Sequence, residues 1–374
     1  MAFPKLRFKN AEGAEFTSWV TSFIGDECKI TTGNKDTQNK IDGGKYPFFV
    51  RSQTVERINT YSKDCEAVLT SGDGVGVGKN YHYINGKFDF HQRVYCLYDF
   101  SNQLLGKYLY IYFSNYFFDR VKRLSAKNSV DSVRMDMISK MEIKLPSLVE
   151  QTKIASFLSN VDEKISQLTQ KHALLSQYKQ GMMQKLFSQQ IRFKADDGSE
   201  FGEWVEWKFA SCIDIFDNLR KPVSASERKV GFTPYYGANG IQSYIDGYTH
   251  EGEFILIAED GANDLINYPV QYVNGKIWVN NHAHVVSGKQ HIVDNKFLKY
   301  RLGSIDFTKY LVGGGRAKLN AGAMKEIAFL LPCLEEQTKI ANFLSEIDQK
   351  IEVVAQQIEQ AKIWKKGLLQ QMFV

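Results

Sequence analysis

The sequence predicts an α+β protein with a pseudo-twofold internal repeat: two mixed α/β domains joined by two long helices that form an antiparallel coiled coil. Three observations support this fold class. One motif in the middle of the 374-residue chain returns 186 residues later, a second motif opens both copies, and both copies close with a long segment of coiled-coil spacing. Because the ends of the copies are nearly identical and their middles diverge, we expect one scaffold that presents two different surfaces.

Two motifs carry the repeat, one at the beginning of each copy and one at the beginning of each predicted helix. The opening motif, Arg-Phe-Lys followed by Glu-Phe and Trp, spans 7–19 and returns at 192–204. The helix motif contains Leu-Pro, Glu-Gln-Thr-Lys-Ile-Ala and Phe-Leu-Ser, and it spans 145–159 and 331–345. The shift is 185 residues for the first motif and 186 for the second, so an insertion or deletion separates them.

The middles, 20–145 and 205–331, predict small mixed α/β domains. Runs such as 67–70, 254–258 and 276–279 are β-like, and the Asn-Gly pairs at 85–86, 239–240 and 274–275 are turn signals. An aromatic helix is expected from about Ser101 to Phe118. Some local correspondence survives between the middles: Asp73-Gly74 matches Asp260-Gly261, Asn85–Lys87 matches Asn274–Lys276, and His91 with Val94 matches His282 with Val285.

Both copies close with an amphipathic segment whose apolar residues alternate at steps of four and three. This is the a/d spacing of a coiled coil, held for about five heptads. A second helix that pairs with the first must run back along it, so the pair is antiparallel. The predicted coiled-coil and partner interface consists of Ile154, Leu158, Val161, Ile165, Leu168 and Leu175 in the first copy, and Ile340, Leu344, Ile347, Ile351, Val354 and Ile358 in the second.

Smaller features mark the ends of these helices. Ser147 and Glu150 fit a capping box before the first helix, whereas Cys333 replaces the serine in the second copy. Lys179 and Lys365 interrupt both seams at the same position.

Two residues later, Gly181 and Gly367 also recur, although a glycine inside a helix costs about 1 kcal/mol. A close approach of two helices, or a bend, would explain the pair. We place the domain boundaries at 1–146 and 191–332 for the α/β domains and at 147–190 and 333–374 for the helical spacers.

Composition limits the class of protein. No apolar run reaches the roughly 18 residues that a membrane span needs, and the first residues lack the apolar core of a signal peptide. The five cysteines are scattered without a CxxC pair, which argues against a disulfide framework or a cysteine zinc site and favours a reducing cytoplasm. The net charge is +5, and residues 1–149 carry the excess, with 21 Lys and Arg against 16 Asp and Glu.

A search for catalytic chemistry finds no constellation. The glycine-rich stretch 71–80 is not a P-loop, because Asp73 and Asn80 stand where glycine and Ser or Thr are required. His282 and His284 lack further metal ligands at suitable spacing, so a strand that places both on one face in a polar cluster is the better interpretation. The basic group Arg120, Lys122, Arg123 and Lys127 and the loop 312–318 suit nucleic-acid phosphates, but a solvated helix end and a simple mobile connection stay open.

The repeated helix motif, with its variable domain between copies, resembles the specificity (S) subunit of type I restriction-modification systems over essentially the whole chain. The resemblance implies two target-recognition domains, each reading one half of a bipartite, asymmetric site in double-stranded DNA, and helices that set the gap between the halves. It also implies two methyltransferase (M) subunits docked on the helices, with restriction (R) subunits in some complexes. S-adenosylmethionine and ATP then belong to the partner subunits, and this chain is not itself an enzyme.

The candidate DNA contacts follow from this reading, since Arg, Lys, Asn and His side chains in loops can bind phosphates or base edges. No metal site is predicted. Two other classes stay open: a two-headed protein adaptor and a stand-alone enzyme that acts on DNA. The candidates are Arg51, Lys79, Arg93, Arg123 and Lys127 in the first domain, and Lys221, Tyr236, Asn239, Asn281, His282, Arg316 and Lys318 in the second.

Overall fold

The structure is a computed structural model that describes residues 4–74, 76–124, 132–313 and 317–373. It divides into two compact units. The first unit contains Met1–Leu168 and Gln357–Val374, and the second contains Thr169–Gln356. Each unit therefore holds the beginning of one long helix together with the end of the other, which is the pairing that antiparallel helices require.

The elements of the first unit run in the order predicted for a mixed α/β domain followed by a long helix. The aromatic helix α2 packs against two strands of this domain, and the long helix α4 continues into the second unit. The elements are β1 (Val20–Phe23), α1 (Ile24–Glu27), β2 (Lys29–Thr32), β3 (Tyr46–Phe49), β4 (Glu56–Ile58), β5 (Lys63–Ser71), β6 (Tyr81–Phe90), β7 (Val94–Tyr98), α2 (Gly106–Leu124), α3 (Met135–Ser139), β8 (Glu142–Leu145) and α4 (Leu148–Phe187).

The second unit repeats this order. Its long helix α8 ends in the first unit. The elements are β9 (Val205–Lys208), α5 (Phe209–Cys212), β10 (Ile213–Ile215), β11 (Thr233–Gly237), β12 (Gly240–Ile245), β13 (His250–Ala258), β14 (Val270–Val279), β15 (Ala283–Gly288), α6 (Asn295–Leu302), α7 (Ala321–Lys325), β16 (Ala328–Leu331) and α8 (Leu334–Met372).

The two sheets have the same topology. Within the described residues, the strand order is β2-β7-β5-β6-β3-β4 in the first unit and β10-β15-β13-β14-β11-β12 in the second. In each sheet one pair is parallel, β3 with β6 and β11 with β14, and the neighbouring pairs are antiparallel. A separate two-stranded sheet, β1 with β8 or β9 with β16, flanks the start of each long helix. The internal repeat therefore extends through the middles, where the sequences diverge.

Strand register corrects one predicted correspondence and confirms two. Val94 pairs with Ser71, and Ala283 pairs with Ala258, so Val94 and Ala283 are equivalent. Asp73 and Asp260 each follow these strands by two residues, as predicted. The match of His91 with His282 was wrong by two residues, because His91 is equivalent to Asn280.

Two of the three predicted Asn-Gly turns were also wrong. Asn85-Gly86 and Asn274-Gly275 lie inside the ten-residue strands β6 and β14. Gly86 and Gly275 adopt φ of 137° and 102°, which a glycine tolerates because it lacks a Cβ atom. Asn239-Gly240 does close a hairpin, since Gly237 pairs with Gly240 across it.

Each domain core continues into the long helices. In the first unit, α2 lies against β5 and β6 and buries Tyr108, Phe113 and Phe117. Phe113 and Phe117, four residues apart, share one helix face. Ile154 and Leu158 of α4 and Met372 of α8 join the same cluster. In the second unit, α6 takes the place of α2, and Leu186, Ile340 and Leu344 join its core. The helix α2 has 19 residues, whereas α6 has only 8.

The predicted seams are buried, most completely near the beginning of each long helix. Buried seam residues are Ile154, Leu158, Val161, Leu168, Ile340, Leu344, Ile347 and Val354, and half-buried ones are Ile165, Leu175, Ile351 and Ile358.

The predicted capping box at the start of α4 is half formed. The Glu150 N–H donates to Ser147 Oγ (3.4 Å), but the Glu150 carboxylate binds Arg7 instead of the backbone.

The seam interruptions have different explanations. Lys365 binds Asp162 (2.6 Å) and Lys179 binds Asp348 (2.5 Å), so each lysine makes an ion pair with the other helix. The close-approach explanation for the paired glycines was wrong, because a Cβ atom at Gly181 or Gly367 would meet no described atom within 4 Å.

Candidate nucleic-acid interface

The repeated motifs bind each other in both units. Glu150, fully buried at the start of α4, accepts hydrogen bonds from Arg7 Nε (3.0 Å), Arg7 Nη2 (2.7 Å) and Trp19 Nε1 (3.1 Å). The hydrogen bond and the charge of Glu150 raise the pKa of Arg7 against the opposing effect of burial. Charge-assisted, bidentate pairs of this kind are the stronger hydrogen bonds of proteins. This carboxylate therefore fastens the opening segment of the domain to the long helix.

The second unit reproduces this fastening almost to the same distances. Glu336 accepts hydrogen bonds from Arg192 Nε (3.0 Å), Arg192 Nη2 (2.6 Å) and Trp204 Nε1 (3.1 Å). The repeated Glu, Arg and Trp side chains bind one another within each unit. The two motifs are therefore similar in both copies because they hold the fold together, and not because they contact a ligand.

The glutamine of the helix motif binds a different segment of each domain. Gln151 Nε2 donates to the carbonyl groups of Gln103 and Pro146, and its Oε1 accepts from the Leu105 N–H just before α2. Gln337 makes the equivalent bonds to the carbonyl groups of Ile292 and Pro332 and to the N–H of Asp294, just before α6. Adjacent residues of the helix motif therefore attach two separate segments of each domain to the long helix: the opening segment, and the segment just before α2 or α6.

In the first unit, two of the predicted DNA contacts meet on one carboxylate. Asp73 accepts from Arg51 Nη1 (2.9 Å) through Oδ1 and pairs with Arg93 Nη1 (3.1 Å) through Oδ2. The arginine side chains are 42% and 63% exposed, whereas Asp73 is 19% exposed. The guanidinium groups thus face solvent from a shared, largely covered anchor. We call Arg51, Asp73 and Arg93 the first cationic cluster.

The backbone around this cluster is tightly hydrogen-bonded. The Gly72 N–H donates to the Arg93 carbonyl (2.8 Å), and the Arg93 N–H donates to His91 Nδ1 (2.9 Å). The His91 N–H in turn donates to the Phe49 carbonyl (2.9 Å), which brings Arg51 to the same edge. On the other side, the Val133 N–H donates to the Gly72 carbonyl (2.7 Å). These bonds fix the positions from which both arginines extend.

The second unit has a cluster at the equivalent place. Asp260 binds His282 Nδ1 through one oxygen and Lys318 Nζ (3.0 Å) through the other. The side chains of His282 and Lys318 are 41% and 48% exposed, and Asp260 is almost buried. Asp260, His282 and Lys318 form the second cationic cluster, which also brings together two predicted contacts.

The backbone bonds of the two clusters correspond one to one. The Glu259 N–H donates to the His282 carbonyl, the His282 N–H to Asn280 Oδ1, and the Leu319 N–H to the Glu259 carbonyl. The side chains on this common frame differ. His282 stands at the position of Arg93, Lys318 at that of Ser132, and Ala238 at that of Arg51. Among the described residues, the aspartate of the first cluster therefore binds two arginines, and the aspartate of the second binds a histidine and a lysine.

The remaining candidates in the first unit lie apart from its cluster. Lys79 stands 5.6 Å from the centre of the Phe118 ring, and Arg123 ends α2 with its Nε 3.4 Å from the Asp119 carbonyl oxygen. Arg120, from the same basic group, donates to the carbonyl groups of Met137 and Lys140 and so supports α3. Lys127 lies outside the described residues.

In the second unit, Asn239 is engaged in the fold beside the cluster. Its Nδ2 donates to the Gly261 carbonyl (2.9 Å), and its Oδ1 accepts from the Asn263 N–H (3.0 Å). Tyr236 is half-buried in β11, and burial raises its pKa. The side chains of Lys221 and Asn281 are exposed. Arg316 lies outside the described residues.

His284 does not share a polar face with His282, contrary to the sequence interpretation. His282 precedes β15, whereas His284 is buried in that strand between Asp217 Oδ2 (2.6 Å from Nδ1) and the Leu319 carbonyl (2.8 Å from Nε2). Two acceptors require two N–H groups, so the ring is an imidazolium. Burial lowers the pKa of His284, but the bonds to Asp217 and Leu319 outweigh it and the pKa is raised.

Sequence reasoning missed the two aspartates and the residues that hold their backbone. The recurrence of Asp73-Gly74 as Asp260-Gly261 was the visible signal, and it was treated only as a trace of duplication. Across the described part of the chain, no group of three or more His, Cys, Asp or Glu side chains is arranged to hold a metal ion. In the same residues, no helix combines the length and apolarity that crossing a membrane requires.

Comparison with known proteins agrees with this architecture. Residues 17–177 and 204–362 both match the family described as type I restriction modification DNA specificity domain. These two matches cover most of the chain and fall one on each copy of the repeat. The chain belongs to this family.

Individual relatives carry the same description. A Haemophilus influenzae protein provisionally named as a type I restriction enzyme specificity subunit is 49% identical over 144 residues, which is 38% of this chain and 37% of that protein. The MjaVIII specificity subunit of Methanocaldococcus jannaschii is 25% identical over 97% of this chain and 94% of its own length. The chain spans well under half the length of the first curated relatives that it matches.

A solved structure has the same fold. The S subunit of a type I restriction-modification system from M. genitalium superposes with a TM-score of 0.73 over 100% of this chain and 99% of that one, at 18% identity. At this identity the likeness concerns the fold alone.

Proposed function

We propose that this chain is the DNA-recognition subunit of a type I restriction-modification complex, in which each α/β domain reads one half of a bipartite, asymmetric target. The observation that carries the proposal is the pair of cationic clusters. Both stand on the same strand framework and the same aspartate, yet they present Arg51 and Arg93 in one domain and His282 and Lys318 in the other. Two readers of one design with different contact residues suit two different half-site sequences.

The electrostatics support binding to a duplex. The first domain carries the basic excess, and two of its cations are exposed: Lys79 beside the Phe118 ring, and Arg123 in the last turn of α2. Lysine and arginine that neutralise phosphates release counterions, so affinity should fall steeply with salt concentration. Arginine and histidine that extend from a rigid frame can reach base edges, which carry the sequence information. Residues 1–146 and 191–332 are the proposed target-recognition domains, and 147–190 and 333–374 are the proposed helical spacers that set the gap.

The long helices also offer a surface for partner subunits. Tyr178 and Trp364 occupy the same position in the two copies and are 51% and 54% exposed, and Ile363 beside Trp364 is 70% exposed. Gly181 and Gly367 follow one helical turn later with open space around them. Exposed apolar residues next to an uncrowded backbone suit a close-packed protein contact. We propose that these exposed positions, one set on each long helix, bind the two methyltransferase subunits, with restriction subunits as further members of the complex.

Catalysis and cofactors fall to those partners in this proposal. S-adenosylmethionine and ATP would be bound by the methyltransferase and restriction subunits, and this chain would position them on DNA without a reaction of its own. The cytoplasm is the proposed compartment.

Co-expression with the cognate methyltransferase subunit in a methylation-free host tests the proposal. We expect adenine methylation at an interrupted two-part motif on both strands, and its loss when this chain is omitted. A stable complex without new methylation, or a purified chain that modifies DNA alone, would contradict the assigned role. Absence of both complex and DNA binding would favour the protein-adaptor alternative.

A further inference from the structure

We propose that Asp73 is a positioning residue that aims Arg51 and Arg93 at guanine, so that the half-site read by the first domain contains guanine at the position they contact. This inference rests on the proposed function. The aspartate itself touches no base; it acts through the two arginines that share its carboxylate.

The first cationic cluster presents hydrogen-bond donors to solvent. Each arginine uses one terminal nitrogen on Asp73, at 2.9 and 3.1 Å, and each oxygen of the carboxylate takes one arginine. The other N–H groups of both guanidinium groups have no hydrogen-bond partner among the described residues, and both side chains are largely exposed. The exposed rim of the cluster therefore consists of donors, with the acceptor oxygens covered behind them.

A surface that presents only donors is complementary to a base edge that presents only acceptors. In the major groove, guanine presents two adjacent acceptors, O6 and N7, whereas adenine presents one acceptor and one donor and cytosine presents a donor. A guanidinium fork is the usual partner of the guanine edge. A donor-only cluster thus favours guanine and leaves an unpaired donor facing the N–H groups of adenine or cytosine.

The Asp73 carboxylate orders the two arginine side chains and reduces the repulsion between them. An isolated exposed arginine loses rotamer freedom when it binds, and two neighbouring guanidinium groups repel each other. Asp73 removes both costs before DNA arrives, because it fixes the two side chains and neutralises one charge. Residue 73 is in turn held by the Gly72 bonds to Arg93 and Val133. Preorganisation of this kind gains affinity for the correct partner by lowering the cost of ordering.

The second cluster provides the matched comparison. Among the described residues, its Asp260 binds a ring nitrogen of His282 and the ammonium group of Lys318. A lysine and a histidine cannot form two parallel forks, so guanine is not demanded there by the same argument. The equivalent substitution at Asp260 should therefore alter only the other half-site.

A backbone phosphate offers the same acceptor chemistry as a guanine edge, and the experiment separates the two. The intact complex with methyltransferase subunits is prepared with wild-type chain, Asp73→Asn, Arg93→Ala and Asp260→Asn, and methylation is measured on duplexes that carry each base at each position of both half-sites. For Asp73→Asn and Arg93→Ala we expect discrimination against other bases to fall roughly tenfold to hundredfold at one guanine of one half-site. Asp260→Asn should leave that half-site unchanged.

Two further outcomes decide the inference. Equal weakening on all sequences with a shallower salt dependence would identify a phosphate contact and overturn guanine reading. A wild-type motif whose affected half lacks guanine would also overturn it. Should the variants fail to fold, wild-type complex on DNA with 7-deazaguanine at that position, which lacks the N7 acceptor, gives the same test and should bind more weakly. Failure of the proposed function is distinct, because the wild-type complex would then methylate no bipartite motif at all.

Discussion

The two α/β domains differ at the clusters that face solvent and agree at the contacts that face the long helices. Glu150 and Glu336 bind their Arg and Trp partners at distances that agree within 0.1 Å, and Gln151 and Gln337 make equivalent bonds. By contrast, Arg93 is replaced by His282 on an otherwise identical backbone. The two copies therefore share the attachment of each domain to its long helix and differ in the exposed residues that we propose contact DNA.

One position of the strand framework carries a tyrosine in the first domain and a histidine in the second, and both side chains bind a backbone carbonyl. Tyr95 in β7 donates its hydroxyl to the Val133 carbonyl (3.1 Å), and His284 in β15 makes the equivalent bond to the Leu319 carbonyl (2.8 Å). The neutral phenol needs no counterion. The imidazolium needs Asp217, which Arg220 also contacts (3.4 Å). Deprotonation of the ring therefore breaks the contact between His284 and Asp217, whereas the Tyr95 hydroxyl depends on no charged partner.

The largest effect is expected from breaking the shared attachment. Glu150→Ala leaves Arg7, whose side chain is only 13% exposed, without its carboxylate. The change should lower the free energy of unfolding of the first unit by roughly 3–5 kcal/mol, because a largely buried charge loses its partner. Glu336→Ala should do the same to the second unit. Hydrogen exchange followed by mass spectrometry reads each unit separately.

Glu346→Ala, at an exposed position of α8, serves as the control and should change little. If Glu150→Ala loosened both units equally, the two attachments would not be independent. If it loosened neither unit, the attachment would not stabilise the fold. Either result would contradict the comparison.

A smaller and unequal effect is expected at the interhelical ion pairs. Asp348 binds Lys179 (2.5 Å), Lys299 (3.0 Å) and the Tyr300 hydroxyl (2.7 Å), whereas Asp162 binds Lys365 (2.6 Å) and is 48% exposed. Asp348→Ala should cost about 1–3 kcal/mol, because three donors lose their acceptor. Asp162→Ala should cost less than about 1 kcal/mol. Urea unfolding of both variants measures the difference, and equal costs would count against the asymmetry.

The histidine framework predicts a pH dependence confined to the second unit. His284 has a raised pKa in the folded state, so its contribution to stability is complete below the unfolded pKa of about 6.5 and is lost as the pH rises through the folded value. Hydrogen-exchange protection around 283–286 and 319 should therefore fall on the alkaline side, while protection around 94–97 and 133 stays constant.

His284→Gln provides the control, since it retains a donor but does not titrate. The variant should lose the pH dependence. Unchanged dependence in His284→Gln would assign the titration to another group.

The smallest effect is expected for a phosphate contact. Lys79→Ala should weaken DNA binding by a similar factor on every sequence and reduce the slope of log affinity against log salt by about 1. Fluorescence anisotropy across a salt series measures it. Lys29→Ala, at a lysine paired with Asp99, is the matched control and should leave the slope unchanged. A change in sequence preference for Lys79→Ala would mean that it reads a base.

Periodic features of the chain were predictable, and long-range pairings were not. The seams of α4 and α8, the helix α2 and the β-like runs at 67–70, 254–258 and 276–279 follow from spacing and from local propensity, which depend only on neighbours in sequence. The parallel pairing of β3 with β6 and the meeting of Arg51 with Asp73, 22 residues away, depend on the folded sheet. Glu150 illustrates the conflict: local rules assign it to a capping box, but a salt bridge to Arg7, 143 residues away, takes the carboxylate.

Exchange of one domain for a second copy of the other tests the central claim most directly. A chain in which residues 205–331 replace 20–145 would carry two readers of the same kind on the antiparallel helices, and it should form a stable complex with methyltransferase subunits. The account predicts that sequencing of the methylated genome would reveal an interrupted inverted repeat, with the half-site of the second domain on both sides. A stable complex that still methylates the original asymmetric motif would contradict it.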